Sequence, residues 1–272
     1  MVIVYLSIAL LFFSTMEVIS KPFMEIIDPF FLTFVRFLIG GSFLMIWVRK
    51  KVEFKDVLFL SLIGSINSIL SMTLLQLSVK YGNASTAATL IAMNPLFVSL
   101  FSPFIAKEKF VLRRFIGLLT GLVGLLVFAQ GMVIGDTPFG ILTGIASSVT
   151  FALYTVLMKK FVSKYDSITA TAYSMLFSSI IYGFFLASLG FLKIPPLNLP
   201  NSLFFVYAGI GVTGIAYFTF FKAVEKIGAT NSSRIFYLKP VLATILSLLF
   251  LGEKLGFLKI LGMIMIIFSL MI

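Results

Sequence analysis

The chain has 272 residues, of which 60% are hydrophobic and 11% charged, with a mean hydropathy of +1.13 and a formal net charge of +11. Soluble domains carry about 25% charged residues; a chain this apolar cannot cover a water-facing surface, so lipid is its natural solvent. Cysteine and histidine are absent, which excludes disulfides, thiol nucleophiles, imidazole bases and the usual zinc ligands.

A membrane-spanning helix needs about 20 predominantly apolar residues. Ten such stretches follow in order: Val2–Ser20, Phe30–Val48, Val57–Leu77, Ala84–Phe104, Phe115–Met132, Phe139–Phe161, Ser167–Leu189, Leu203–Phe221, Thr230–Phe250 and Leu255–Ile272. Short separators carry turn formers: Asp28-Pro29, Gly82-Asn83, Gly135-Asp136, Pro195-Pro196 and Gly228. No room remains for a soluble domain. The first stretch lacks the basic start and small-residue cleavage site of a signal peptide, so it reads as a span.

The excess of basic residues would suggest nucleic acid in a soluble protein. Here these residues sit in short loops, where they set topology. One set of loops holds Arg49, Lys50, Lys51, Lys55, Lys107, Lys109, Arg113, Arg114, Lys159, Lys160, Lys164, Lys222 and Lys226; the other holds only Lys21, Lys80, Lys193, Lys254 and Lys259. The positive-inside rule places both termini in the cytoplasm of a cell whose plasma or inner membrane holds the chain.

The two halves are alike. A shift of 145 residues puts Pro95 on Pro240, Glu108 on Glu253, Lys109 on Lys254 and Gly117 on Gly262. Five spans per half is an odd number, so the second half inserts upside down relative to the first. The expected fold is all-α, with about ten transmembrane helices in two inverted five-helix repeats, residues 1–134 and 135–272. Inverted repeats of this kind are frequent in secondary transporters.

Pro95 with Glu108-Lys109, and Pro240 with Glu253-Lys254, resemble the EamA-type branch of the drug/metabolite transporter superfamily over the whole chain. Lys21 and Lys159, each closing the first span of a half, and Arg36 in the second span add to the resemblance. It implies that the first four helices of each repeat surround a central cavity, that the fifth and tenth are peripheral, and that the cargo is a small metabolite, amino acids included, mostly exported. The second half has Ser174 near the position matching Arg36, so the halves are not chemically equivalent.

Polar residues inside spans are costly and favour the protein interior or a wet cavity. Stripes of them run along helix 1 (Ser7, Ser14, Glu17, Lys21), helix 3 (Asn67, Ser71, Ser78), helix 6 (Thr143, Ser147, Thr150, Tyr154), helix 7 (Ser167, Thr171, Ser174, Ser178) and helix 8 (Thr213, Tyr217). Ordinary hydrogen bonding between helices accounts for many single Ser and Thr. Helix 10 has no polar stripe. Helix 5 carries Gly117, Gly121 and Gly124 at packing spacing, which can support contact between copies and hence a homodimer.

Lys239 stands out. It lies roughly 14 Å into the membrane at 1.5 Å per residue from Thr230, where a lysine costs about 2.5–3.5 kcal/mol. It can bind a substrate carboxylate or phosphate, or serve as a structural partner of Glu17. Pro240 beside it and Pro95 beside Asn94 interrupt matching helices and are expected hinges. Glu17 and Arg36 reach one level and are expected to pair as an external gate or proton-coupling element. Asn67, Asn94, Tyr154, Tyr217, Ser147 and Ser174 join Lys239 as expected substrate contacts; Tyr173 and Tyr237 offer further hydroxyls. Arg234 reads as an edge anchor, and Glu108 and Glu253 as helix caps or partners of nearby lysines.

The expected function is secondary transport of small polar metabolites, with amino acids first, by alternating access and with the proton as a coupling ion. Aromatic residues keep amines, quaternary ammonium compounds and drugs as the alternative. A non-transporting structural or receptor-like protein is the alternative of another class; it leaves the repeat unexplained. No Walker-type loop is present, and a lone acidic residue within the spans speaks against catalysis. No cofactor, metal or nucleic acid is expected, only a small-molecule substrate and the bilayer.

Overall fold

The computed structural model describes residues 1–108, 112–130, 136–252 and 256–269; among these, all regular structure is helical. In chain order the helices are α1 (Val2–Ser20), α2 (Pro29–Met45), α3 (Phe54–Tyr81), α4 (Ala84–Ile105), α5 (Leu112–Gln130), α6 (Pro138–Tyr165), α7 (Ser167–Ser188), α8 (Leu199–Ile227), α9 (Ala229–Leu251) and α10 (Phe257–Ser269). Among the described residues seven helices, α1, α3, α4 and α6 to α9, are long and apolar enough to cross a membrane. α2 and the Phe115–Phe128 stretch of α5 are shorter apolar helices. The protein is an all-helical multi-pass membrane protein. Lys109, Gly135, Glu253 and Lys254, and the expected span ends Met132, Leu255 and Ile272, lie outside the described residues.

The turn residues do what their chemistry allows. Asp28 accepts a hydrogen bond from Phe30 N at 2.9 Å and Pro29 opens α2; Thr137 accepts from Gly140 N at 3.0 Å and Pro138 opens α6. Both pair a side-chain cap with a proline whose missing N–H is no loss in the first turn. Asp166 and Asn198 cap α7 and α8 through Thr169 N and Asn201 N.

Large apolar side chains such as Ile3, Phe104, Phe184 and Phe257 are exposed on the outside, as lipid contact requires. The polar stripes turn inward: Ser14, Glu17, Asn67, Ser71, Ser147, Tyr154, Thr171, Ser174, Ser178, Thr213 and Tyr217 are all buried. Ser7 is exposed and does not join its stripe.

Small residues let the helices approach. A Cβ on Gly64 of α3 would sit 2.1 Å from the Ser174 carbonyl oxygen of α7, and one on Gly40 of α2 would sit 2.7 Å from the Gly209 oxygen of α8. Close backbone contact of this kind is how membrane helices gain dispersion without a hydrophobic drive. The glycine stripe of α5 is used within the chain. Gly121 faces Ser269 and Tyr237, and Gly124 faces Met265 and Ile266 of α10, so these two glycines are not free to face a second copy.

Of the two interrupted helices, α4 breaks and α9 tightens. α4 loses its helical ladder at Ala92-Met93 and restarts at Asn94–Ile105, with Pro95 in the new first turn. α9 runs Ala229–Ser233, tightens to a 3-10 stretch at Arg234–Leu238, and restarts at Lys239–Leu251 with Pro240. Asn94 and Lys239 stand at the two restarts, 145 residues apart. α3 and α8 each contain a widened, π-helical stretch, Ile66–Met72 and Tyr207–Ile215. Such widening concentrates at functional sites.

Candidate functional site

A central cavity is lined by Phe13, Met16 and Glu17 of α1, Arg36 of α2, Met72 and Leu75 of α3, Ile91 of α4, Phe151 of α6, Val212 and Tyr217 of α8, and Phe236 and Lys239 of α9. Its free interior is about 20 Å³, enough for one water and too small for a metabolite. The site is closed.

Three charged side chains meet there. Lys239 Nζ lies 2.5 Å from Glu17 Oε1, and both residues are buried. The restart of α9 delivers Lys239 to the cavity, and the polar stripe of α1 delivers Glu17. Arg36 is buried too. Its Nε donates to Thr213 Oγ1 at 2.9 Å, its Nη2 lies 3.9 Å from Met72 Sδ, and its guanidinium sits 5.5 Å from the Phe37 ring centre. Thr213 sits in the π-helical stretch and donates in turn to the Ala208 carbonyl at 2.7 Å. The expected Glu17–Arg36 pair is therefore not the one that forms. Glu17 takes Lys239 and Arg36 takes a hydroxyl. Distance along a helix gives depth but not the direction a side chain takes around the axis, and Lys239 shares that depth.

One acidic and two basic side chains line the cavity, a formal charge of +1. Glu17 Oε2 and Arg36 Nη1 are buried without a hydrogen-bond partner among the described residues. Unsatisfied charged atoms in a dry interior are expensive, and these two, of opposite sign, belong to residues that line one small cavity.

The walls are aromatic. Phe13 stacks on Phe236 at 5.5 Å between ring centres and meets Tyr217 edge-on at 5.1 Å; Phe151 meets Phe236 edge-on at 5.4 Å. Sequence reasoning missed Phe13, Phe151 and Phe236, because nothing in the sequence separates them from the many Phe that face lipid.

The other expected contacts divide. Tyr217 lines the cavity and donates to Asn67 Oδ1 at 3.5 Å. Asn67, Tyr154 and Ser174 are buried beside it, and the Tyr154 hydroxyl, Ser174 Oγ and Asn67 Nδ2 have no hydrogen-bond partner among the described residues. Ser147 accepts from Ser71 Oγ at 3.0 Å through its carbonyl. Asn94 is buried but is not among the cavity-lining residues, and neither are Pro95 and Pro240.

Side-chain bonds cross between helices at both ends of the bundle. At one end, Lys21 Nζ donates to the carbonyls of Val79 at 2.8 Å and Gly82 at 2.6 Å, and Asp136 accepts from Asn83 N at 2.8 Å and Thr86 Oγ1 at 2.9 Å. At the other, Glu108 binds Lys159 and the start of α9, Lys164 bonds Asp56 at 2.6 Å, and Ser167 N donates to Glu225 at 3.0 Å. Glu108 thus both caps a helix and pairs with a lysine.

Comparison with known proteins places this geometry. The model of the EamA-like transporter family matches residues 1–130 and 138–272. The chain is 29% identical to an uncharacterized transporter of Clostridium kluyveri, covering 97% of this chain and 90% of that one. It is 27% identical to the uncharacterized transporter YdfC of Bacillus subtilis over 86% of this chain and 78% of that one, and 25% identical to a WAT1-related chloroplastic protein of Arabidopsis thaliana over 92% and 64%. A solved crystal structure superposes with a TM-score of 0.73 over 98% of this chain and 94% of that chain at 21% identity, a likeness of fold.

Proposed function

Because the chain belongs to the EamA-like transporter family, we propose that it is a secondary active exporter of small polar metabolites that carry a carboxylate, amino acids first. It works by alternating access around the cavity of Glu17, Arg36 and Lys239, with ten spans in two inverted repeats and both termini in the cytoplasm of a cell membrane. The observation that carries this reading is the pair of orphan atoms. Arg36 Nη1 offers a donor to a carboxylate and Glu17 Oε2 an acceptor to an ammonium, and the net positive charge favours an anion over a cation. The matching helix restarts at Asn94 and Lys239 support the repeat and a site at its interface.

Coupling follows from the same atoms. A substrate carboxylate that draws Lys239 away competes with the carboxylate that Lys239 now holds, so Glu17 is the group through which loading and a proton are coupled. The aromatic walls supply a second reading, amines or quaternary ammonium compounds, which the excess positive charge opposes.

The first test is thermal stabilisation of the purified protein by a metabolite library, followed by flux of any binder in proteoliposomes. A cargo at about 100 times its dissociation constant adds roughly 2.7 kcal/mol of stability. Carboxylated metabolites are expected to stabilise the protein and to move without ATP. Stabilisation by amines alone, or flux that needs hydrolysable ATP, overturns the reading.

A further inference from the structure

We infer that Glu108 is the latch that closes one mouth of the central cavity, and that its release is the step that opens that mouth. The inference rests on the alternating-access reading; its labelling test needs neither substrate nor flux, and flux is read only to separate the two.

Glu108 follows the C-terminal end of α4 and is half-buried. Its Oε1 accepts from Lys159 Nζ of α6 at 2.7 Å and from Ala229 N at 2.7 Å. Its Oε2 accepts from Thr230 N at 3.2 Å and Thr230 Oγ1 at 2.5 Å. One carboxylate from the first half of the chain therefore holds a lysine and the first turn of a helix from the second half. These are charge-assisted bonds, about twice as strong as neutral ones, and the start of α9 adds its dipole.

The backbone is shaped for this contact. Gly228, immediately before α9, has φ +85, and a Cβ there would sit 2.6 Å from Glu108 Oε1. Only glycine meets both demands, a left-handed conformation and a carboxylate against its Cα. The latched segment leads directly into the part of α9 that carries Phe236 and Lys239 to the cavity. Movement of the α9 start away from α4 and α6 thus moves two cavity walls.

Burial raises the Glu108 carboxyl, while Lys159, Thr230 and the two backbone amides lower it further still, so it lies below its ordinary value. It stays charged at neutral pH, and mild acid does not undo the latch; release comes from displacement of the two halves.

The chain has no native cysteine, so a single Val212→Cys in the cavity wall reports access without background. Labelling by a membrane-impermeant maleimide is measured from each face separately, in intact cells and inverted vesicles, with Lys107→Cys, exposed beside the latch, marking which preparation presents that face. Adding Glu108→Gln is expected to raise the labelling rate of Val212→Cys roughly tenfold or more from the Glu108 face, the scale of one lost charge-assisted hydrogen bond, and to leave or lower it from the opposite face. Gly228→Ala reads the same contact without touching the carboxylate and applies should Glu108→Gln fail to fold. Unchanged labelling, or an equal rise from both faces, overturns the latch. A one-sided rise in a protein that moves no metabolite upholds the latch and sinks the transport reading.

Discussion

Replacing Lys239 with methionine is expected to destabilise the protein by about 3–5 kcal/mol, because it strips the partner from a fully buried carboxylate. The loss comes from what remains, not from what is removed. Glu17 Oε1 loses the ammonium at 2.5 Å while Oε2 already lacks a bond, so a carboxylate with no hydrogen-bonded partner is left beside Phe13, Met16 and Phe236, with Arg36 committed to Thr213. The double variant Glu17→Gln, Lys239→Met removes both charges and is expected to melt well above the single variant, a coupling of about 1–3 kcal/mol in a double-mutant cycle. Transport is expected to be lost in both. Melting of purified single and double variants, with flux alongside, checks each half of the statement. Additive melting shifts would show that the two groups are energetically independent, and normal flux in Lys239→Met would remove the pair from the mechanism.

The second large effect concerns Arg36. Arg36→Lys keeps the charge, but a lysine has no planar fork to hold Thr213 Oγ1 and a carboxylate at once. Affinity for a carboxylated cargo is expected to fall about 10- to 100-fold, the scale of a hydrogen bond to a charged group, while melting without ligand changes far less than in Lys239→Met. Titration of the binder found by the library, on wild type and Arg36→Lys, reads this directly. Equal affinities would mean that Arg36 is structural and that Lys239 receives the cargo.

Much of the fold was legible because hydrophobic length and turn chemistry are local. The stretch 139–161 became Pro138–Tyr165 and the stretch 84–104 became Ala84–Ile105, with the ends moving because polar caps and lysines extend helices beyond their apolar middles. Glu17, Arg36, Tyr217 and Lys239, which line the cavity, were singled out in the sequence for one reason: each is polar where polarity is costly. Their partners were not. Glu17 and Lys239 are 222 residues apart, and nothing local chooses Lys239 over Arg36. Asn94 shows the same limit. It matches Lys239 in position but lies off the cavity wall, since depth along a helix leaves its rotation open. The apolar lining was invisible for the opposite reason, that a Phe facing cargo and a Phe facing lipid are the same residue.

The Glu17–Lys239 pair in a nearly volumeless cavity bears on the proposed stoichiometry of transport. A carrier whose empty site exposes bare charge can reorient only when loaded, and it is confined to swapping one cargo for another. Here Lys239 occupies Glu17 Oε1 and the walls leave about 20 Å³, so under the alternating-access proposal the unloaded form is expected to return across the membrane without cargo. Net efflux from loaded proteoliposomes into cargo-free buffer is then expected to run at a rate comparable to exchange; strict dependence on cargo in the outer medium would contradict it. The internal ion pair is what would let such a carrier drain a compartment instead of trading with it.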